Sequence, residues 1–261
     1  NAEDMIKEVD ELKKNRENIP LNSLISKQTN LTSEVEKKNA HYTMVELREI
    51  RKDSKLLFKG TSLATYISHN APVPFDPSFH YGKAIEDDIA TFVEDYDCVP
   101  VSVDGVDIFK PYASNLRSHK HIIVWDKHRE RKHAFCWYCE NQGKGQIKPA
   151  NVCGLTYRYK NFTVGDNYLT RKTIWETSPH LAFYFIGEVY IIDPKIVPTS
   201  QRDDFEQSEA RDSFYKEEKV IASELNSRAR ASSGIRRAEE YVQRGAETVS
   251  TIQKELKAKE P

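Results

Sequence analysis

Two periods of apolar residues alternate along this chain, and each predicts a different kind of element. Met5, Ile6, Val9 and Leu12 return at helical spacing among Asp, Glu and Lys, which predicts an amphipathic helix from Ala2 to about Glu17. The polar stretch from Asn18 to Asn39 has the Ser, Thr, Asn and Lys content of a connector. From His41 to Ile50, Thr43, Val45 and Leu47 share one face of a strand, and Leu63, Tyr66 and Ile67 then mark a short helix closing near Asn70. The run Ala71-Pro72-Val73-Pro74-Phe75-Asp76-Pro77 cannot be helical. Each proline fixes its own φ and pushes its predecessor towards extended geometry, so the run is a stiff spacer carrying Val73 and Phe75 into a core. Ile85, Ile89, Phe92 and Val93 mark the next helix.

The middle of the chain carries the period of two. Strands are predicted over Val99 to Val103, Val106 to Phe109, His119 to Trp125, Lys132 to Cys139, Val152 to Tyr159 and Leu181 to Ile192, with Asp104-Gly105 as a hairpin turn. Pro198 to Phe205 leads back into helix, with a break at Gly234 and a charged helical tail to Lys259. The order predicts an α+β fold, a mixed-sheet domain with helical N-terminal and C-terminal extensions. Its expected divisions are a connector over 1–40, the α+β domain over 41–205 and a helical extension over 206–261. Within the tail, Ile235, Ala238, Val242, Gly245, Val249, Ile252 and Leu256 alternate spacings of three and four, the seam of a coiled coil. A homodimer through these helices and a helix packed on its own domain are equally compatible with that spacing.

Composition narrows the function classes. With 39 basic and 40 acidic side chains the formal charge is −1, so a general polyanion-binding surface is not expected and any nucleic-acid affinity has to be local. With Gly added and Tyr removed, roughly 37% of the residues are apolar against ~45–50% in globular chains, which points to charged extensions around a modest core supplied with 13 Tyr and 11 Phe. The most apolar stretch, Leu181 to Gly187, meets Glu188 long before the ~18 residues a membrane span needs, and no basic-then-apolar leader opens the chain. A soluble, cytoplasmic protein is expected, and 4 irregularly spaced cysteines fit a reducing compartment. Because Asn1 opens directly into an amphipathic pattern, a fragment of a longer polypeptide is also expected.

The candidate chemistry is sparse. Cys136 and Cys139, with His133 before them and Cys153 after, invite a metal reading, but an odd spacing of three in a strand sends the thiols to opposite faces, and no metal site is expected. Gly143-Lys144-Gly145 lacks the following helix that a phosphate loop needs and reads as a flexible turn. There is no nucleophile elbow, His-Glu-x-x-His or Walker sequence, so no self-contained catalytic set is present. Lys127, His128, Arg129, Arg131 and Lys132 form a basic hairpin tip between Trp125 and Trp137, which could grip phosphates of a nucleic acid or be a solvated hairpin end beside Asp126 and Glu130. In Pro198-Thr199-Ser200-Gln201-Arg202-Asp203-Asp204-Phe205, Ser200 and Asp203 read as a capping box that puts Arg202 in a first helical turn. Free amides beside Ser200 and Gln201, together with the Arg202 guanidinium, would then make an anion site, against the plainer reading of a capped helix with Arg202 paired to a carboxylate.

Several stretches together resemble the segment that follows the nucleotide-binding domain in bacterial relatives of the heat-shock chaperone ATPases, within the GHKL superfamily of gyrase, these chaperones, histidine kinases and MutL. They are Thr61 to Tyr81 with its Tyr-Ile-Ser-His-Asn-Ala-Pro-Val-Pro-Phe-Asp-Pro run, Val103-Asp104-Gly105 through Lys110-Pro111-Tyr112, Gly154 to Asp166, and Gly187 to Pro194 through Arg202-Asp203-Asp204-Phe205-Glu206. The resemblance implies a middle or transducer domain that docks on an upstream ATPase domain and senses its γ-phosphate. It implies that Arg202, with Ser200 and Gln201, faces the nucleotide, and that ATP and Mg are held by the upstream domain. A protein client or effector domain is the further partner it implies. The chain lacks the Asn and general-base Glu of the ATPase helix, the Asp-x-Gly-x-Gly and the glycine-rich lid, so hydrolysis by this chain alone is not expected. The contrasting class is a nucleic-acid-binding module of a gyrase-like or MutL-like ATPase acting through Lys127, Arg129, Arg131 and Lys132.

Overall fold

The computed structural model describes residues 59–94, 96–112, 116–141 and 146–257, all within the unit Arg51–Pro261. The expected helix at 2–17, the connector after it, the strand at 41–50 and Gly143-Lys144-Gly145 lie outside the described residues. Helices α1 (Gly60–Asn70) and α2 (Gly82–Phe92) fall where the apolar stripes put them. Between them the prolines hold the backbone extended, and Val73 and Phe75 are buried as their spacing predicts. The hairpin β1 (Val101–Val103) and β2 (Val106–Ile108) closes through Asp104 at φ 52° and Gly105 at φ 78°, the left-handed pair that a two-residue hairpin turn requires.

The main sheet has the order β3-β4-β7-β5-β6, formed by β3 (Leu116–Trp125), β4 (Lys132–Asn141), β5 (Gly154–Tyr159), β6 (Phe162–Val164) and β7 (Phe185–Ile191). All pairings are antiparallel except β5 with β7, so the sheet is mixed and the fold α+β. Alternate residues of the central strands serve two cores. Ala134, Cys136, Tyr138, Val189 and Ile191 face one core with Phe214, Ile221 and Leu225. Phe135, Trp137, Cys139, Ile186 and Tyr190 face the other, with Phe75, Phe79, Ile85 and Ile89. Burial on both faces explains why β4 and β7 read as nearly continuous apolar runs. Their closest approach admits no side chain at Gly187, where a Cβ would lie 2.1 Å from the Trp137 carbonyl oxygen.

Three expectations are corrected. The first concerns Pro198 to Phe205, which is a closed loop. Pro198 bridges Phe205, Thr199 N–H donates to the Asp204 carbonyl (2.9 Å), and Arg202 stands at φ 56°. The Asp203 carboxylate accepts from Thr199 Oγ1 at 2.6 Å and that of Asp204 from Phe205 N–H at 2.7 Å. Short polar side chains satisfied locally compete with helix formation, so the helix α4 (Glu209–Glu217) starts later, with Ser208 Oγ accepting from Arg211 N–H. The second is the break at Gly234, which is absent, because α5 (Lys219–Lys257) runs through it among good helix formers. The third is the strand expected from Leu181 to Ile192, which starts only at Phe185 because Pro179–Tyr184 form a 3-10 turn. After Tyr159, Lys160 and Asn161 turn left-handed into β6, and Asp166 caps the helix α3 (Asn167–Thr173), two elements the apolar pattern does not predict.

Candidate functional site

The Arg202 loop is built as a fixed, outward-facing tip. Its base is anchored by the buried Phe205 and by Tyr215 of α4, whose hydroxyl donates to the Asp204 carboxylate. Its tip is tied to the sheet by Gly165 N–H, which donates to the Arg202 carbonyl at 2.6 Å. A side chain at Gly165 would press on Leu169 and on the Asp203 carbonyl, so the latch depends on glycine there. Ser200, Gln201 and Arg202 are all exposed, and the Arg202 guanidinium lies 5.3 Å from the Phe162 ring centroid. Among the described residues Arg202 enters no ion pair, unlike the plainer reading in which a neighbouring carboxylate holds it. A cation resting on an aromatic face keeps its planar fork available for a bidentate anion.

Gly165 also lines a cavity of about 430 Å³, walled by Ser62, Thr65, Tyr66 and His69 of α1 and by Asn167 of α3. At the inner end of that wall lies a charged cluster that the sequence reading missed. Glu188 of β7 is fully buried. Its Oε1 accepts from Lys110 Nζ at 2.8 Å and Arg158 Nε at 2.8 Å, and its Oε2 from Tyr190 Oη at 2.8 Å and Trp137 Nε1 at 3.2 Å. Burial alone would raise its pKa, but the Arg158 and Lys110 charges hold the carboxyl down at about 2. Burial and the adjacent Arg158 push Lys110 down as well, from its ordinary 10.5 to about 8. Arg158 extends the cluster to α1 by donating to the His69 carbonyl at 3.0 Å, so the charges tie sheet to helix. The available signal was a glutamate inside an otherwise apolar strand, which needs a buried partner.

The basic hairpin divides. Arg131 pairs with Asp193 at 3.3 Å, and Lys132 Nζ lies over the Phe92 and Trp125 rings at 5.4 and 5.6 Å. Lys127 and Arg129 remain exposed at the turn, where Arg129 has φ 56°. The cysteines behave as their spacing predicts: Cys136 and Cys139 enter opposite cores, and burial pushes their thiols up, Cys139 to about 12, which keeps them protonated and unreactive. Among the described residues no His, Cys, Asp and Glu group is arranged to hold a metal ion.

One arrangement was invisible in the sequence. His133 Nδ1 lies 3.1 Å from Asp193 Oδ2, and its Nε2 lies 3.1 Å from Ser213 Oγ. This is the acid, imidazole and hydroxyl order of a hydrolytic triad. Ser213 is inside α4, however, so the amide that follows it is committed to helical bonding and cannot serve as the oxyanion donor of a nucleophile elbow. Arg131 also shares the Asp193 carboxylate. The chain of three ties α4 to the end of β4.

Among the described residues no helix is long and apolar enough to cross a membrane. A scan against protein-family models finds no match for this chain, and a search of the curated proteins finds none either.

Proposed function

We propose that this chain is the transducer module of a chaperone-like GHKL ATPase, with Arg202 as the residue that meets the nucleotide's γ-phosphate. The observation that carries the reading is the Arg202 loop, exposed at its tip, latched at Gly165 and anchored through Asp204 to Tyr215 of α4. A guanidinium held this way can stabilise charge on a phosphate brought by another domain, and any pull on it passes to α4 through a hydrogen-bonded contact. ATP and Mg belong to the ATPase domain that the resemblance implies before residue 1. The output is the engagement of a client or effector domain.

The test is ATP turnover by this chain joined to that ATPase domain. Arg202→Ala should lower single-turnover hydrolysis on the order of 10²-fold or more while nucleotide affinity changes little. Arg202→Lys should rescue poorly, since it lacks the planar fork. The loop lies on the surface and Phe205 still anchors it, so the melting temperature should stay within about 2 °C of the parent. Unchanged hydrolysis in a folded Arg202→Ala protein would defeat the assignment.

A further inference from the structure

The C-terminal helix α5 changes character along its length. Ile221, Leu225 and Ala229, four residues apart, are buried against the sheet. From Arg230 to Ile252 every side chain that is described is exposed, including Tyr241 and Val242 at 73%, Val249 at 54% and Ile252 at 50%. Over this stretch the described side chains lack the packing from which helices draw most of their stability. The exposed apolar residues are not scattered. Val242, Val249 and Ile252 belong to the strict three-four repeat that runs from Ile235 to Leu256, with Ile235, Val242, Val249 and Leu256 at one core position and Ala238, Gly245 and Ile252 at the other.

We infer that the occupant of this seam is a second copy of the chain, and that residues 235–256 form a parallel, in-register, two-stranded coiled coil. Three observations carry this. The repeat of 3.5 residues keeps one stripe facing one partner along the whole overhang, and the β-branched Ile235, Val242 and Val249 share one core position, as in parallel dimers, opposite Ala238, Gly245 and Ile252 at the other. The flanking positions are self-compatible: Tyr241 would face the partner's Ala246 and Thr248 the partner's Gln253, so no like charges oppose each other. Burying Tyr241, Val242, Val249 and Ile252 of both copies removes on the order of 700–1,000 Å² from water, below the ~1,200 Å² of stable specific interfaces and within the range of weak, transient ones, so the dimer forms reversibly. Ala238 and Gly245 allow the two helices to approach closely at their layers.

The experiment is sedimentation equilibrium of the 261-residue chain from low micromolar to about 200 µM, where a weak specific contact is populated. The average mass should rise towards twice the single-chain value. The double substitution Val242→Asp with Val249→Asp should return it to the single-chain value with the melting temperature unchanged, since neither residue touches the folded domain. Orientation is read by oxidising Val242→Cys and Val249→Cys separately, beside the parent with its own cysteines. Both should give disulfide-linked dimers in a parallel register, whereas an antiparallel pair can bring at most one of them together. A single-chain mass at every concentration overturns the inference. A dimer that survives both aspartates also overturns it, because the contact then lies elsewhere in the chain.

Discussion

Two glutamates are buried on opposite faces of the same sheet, and they respond to burial in opposite ways. Glu188 accepts from two cations, a tyrosine and a tryptophan, and its pKa falls to about 2. Glu218, at the junction of α4 and α5, meets the Tyr157 hydroxyl at 2.5 Å, while its Oε1 has no hydrogen-bond partner among the described residues. Burial dominates there and raises the pKa to about 8, so at neutral pH this carboxyl is protonated. The same residue type is therefore an ion on one face and a neutral acid on the other. Desolvation acts on both, and the partners within hydrogen-bond reach determine the sign.

The contrast breaks most severely at Arg158. Arg158→Met leaves Glu188 with one cation and removes a donor from the carbonyls of Asn161 and His69, the latter keeping Thr163 Oγ1. Losing half of a buried ion pair should cost about 3–5 kcal/mol in urea denaturation at pH 7. A loss under about 1 kcal/mol would mean that Lys110 alone suffices for Glu188.

Glu218 sharpens the contrast through pH. Between the ordinary 4.5 and about 8 the folded chain retains a proton that the unfolded chain has released, so stability falls as pH rises through this window. The fall should amount to roughly 3–4 kcal/mol across the window. Glu218→Gln should flatten it, matching the parent near pH 4.5 and exceeding it above pH 8. Glu188 has the opposite sense, since its contribution is complete above 4.5 and lost as pH falls towards about 2. Identical pH profiles for parent and Glu218→Gln would show that this carboxyl titrates normally.

The smallest effect is expected at Lys110. The cluster holds two cations for one carboxylate, and the folded lysine gives up its proton near 8 rather than at 10.5. Between those values the unfolded chain binds the extra proton, so stability rises with pH through that window. Lys110→Met should abolish the rise yet change stability at pH 7 by no more than about 1.5 kcal/mol, because Arg158 still pairs with Glu188. Calorimetry at pH 7 and pH 9.5 on both proteins measures the two quantities, and a loss at pH 7 as large as that of Arg158→Met would erase the distinction between the two cations.

What the sequence made legible was local. Cys136 and Cys139 could be sent to opposite faces because strand side chains alternate, Phe75 could be buried because prolines leave it no helix, and Asp104-Gly105 could be read as a turn because few residues tolerate left-handed geometry. What escaped was long-range. Nothing near Glu188 announces Lys110 or Arg158, which lie 78 and 30 positions away along the chain. His133, Asp193 and Ser213 are likewise assembled only by the fold. The Arg202 loop failed in another way. Ser200 and Asp203 have the spacing of a capping box, but Thr199 takes the Asp203 carboxylate first and Phe205 is drawn into the core, so a loop closes where a helix was expected.

The length of α5 turns small angles into large displacements. From Ala229, the last buried residue among those described, to Lys257 the helix extends about 42 Å at 1.5 Å per residue, so a tilt of about 5° at Ala229 carries the far end through roughly 4 Å. A small change in how Ile221, Leu225 and Ala229 seat on the sheet is therefore magnified at the far turns of the helix.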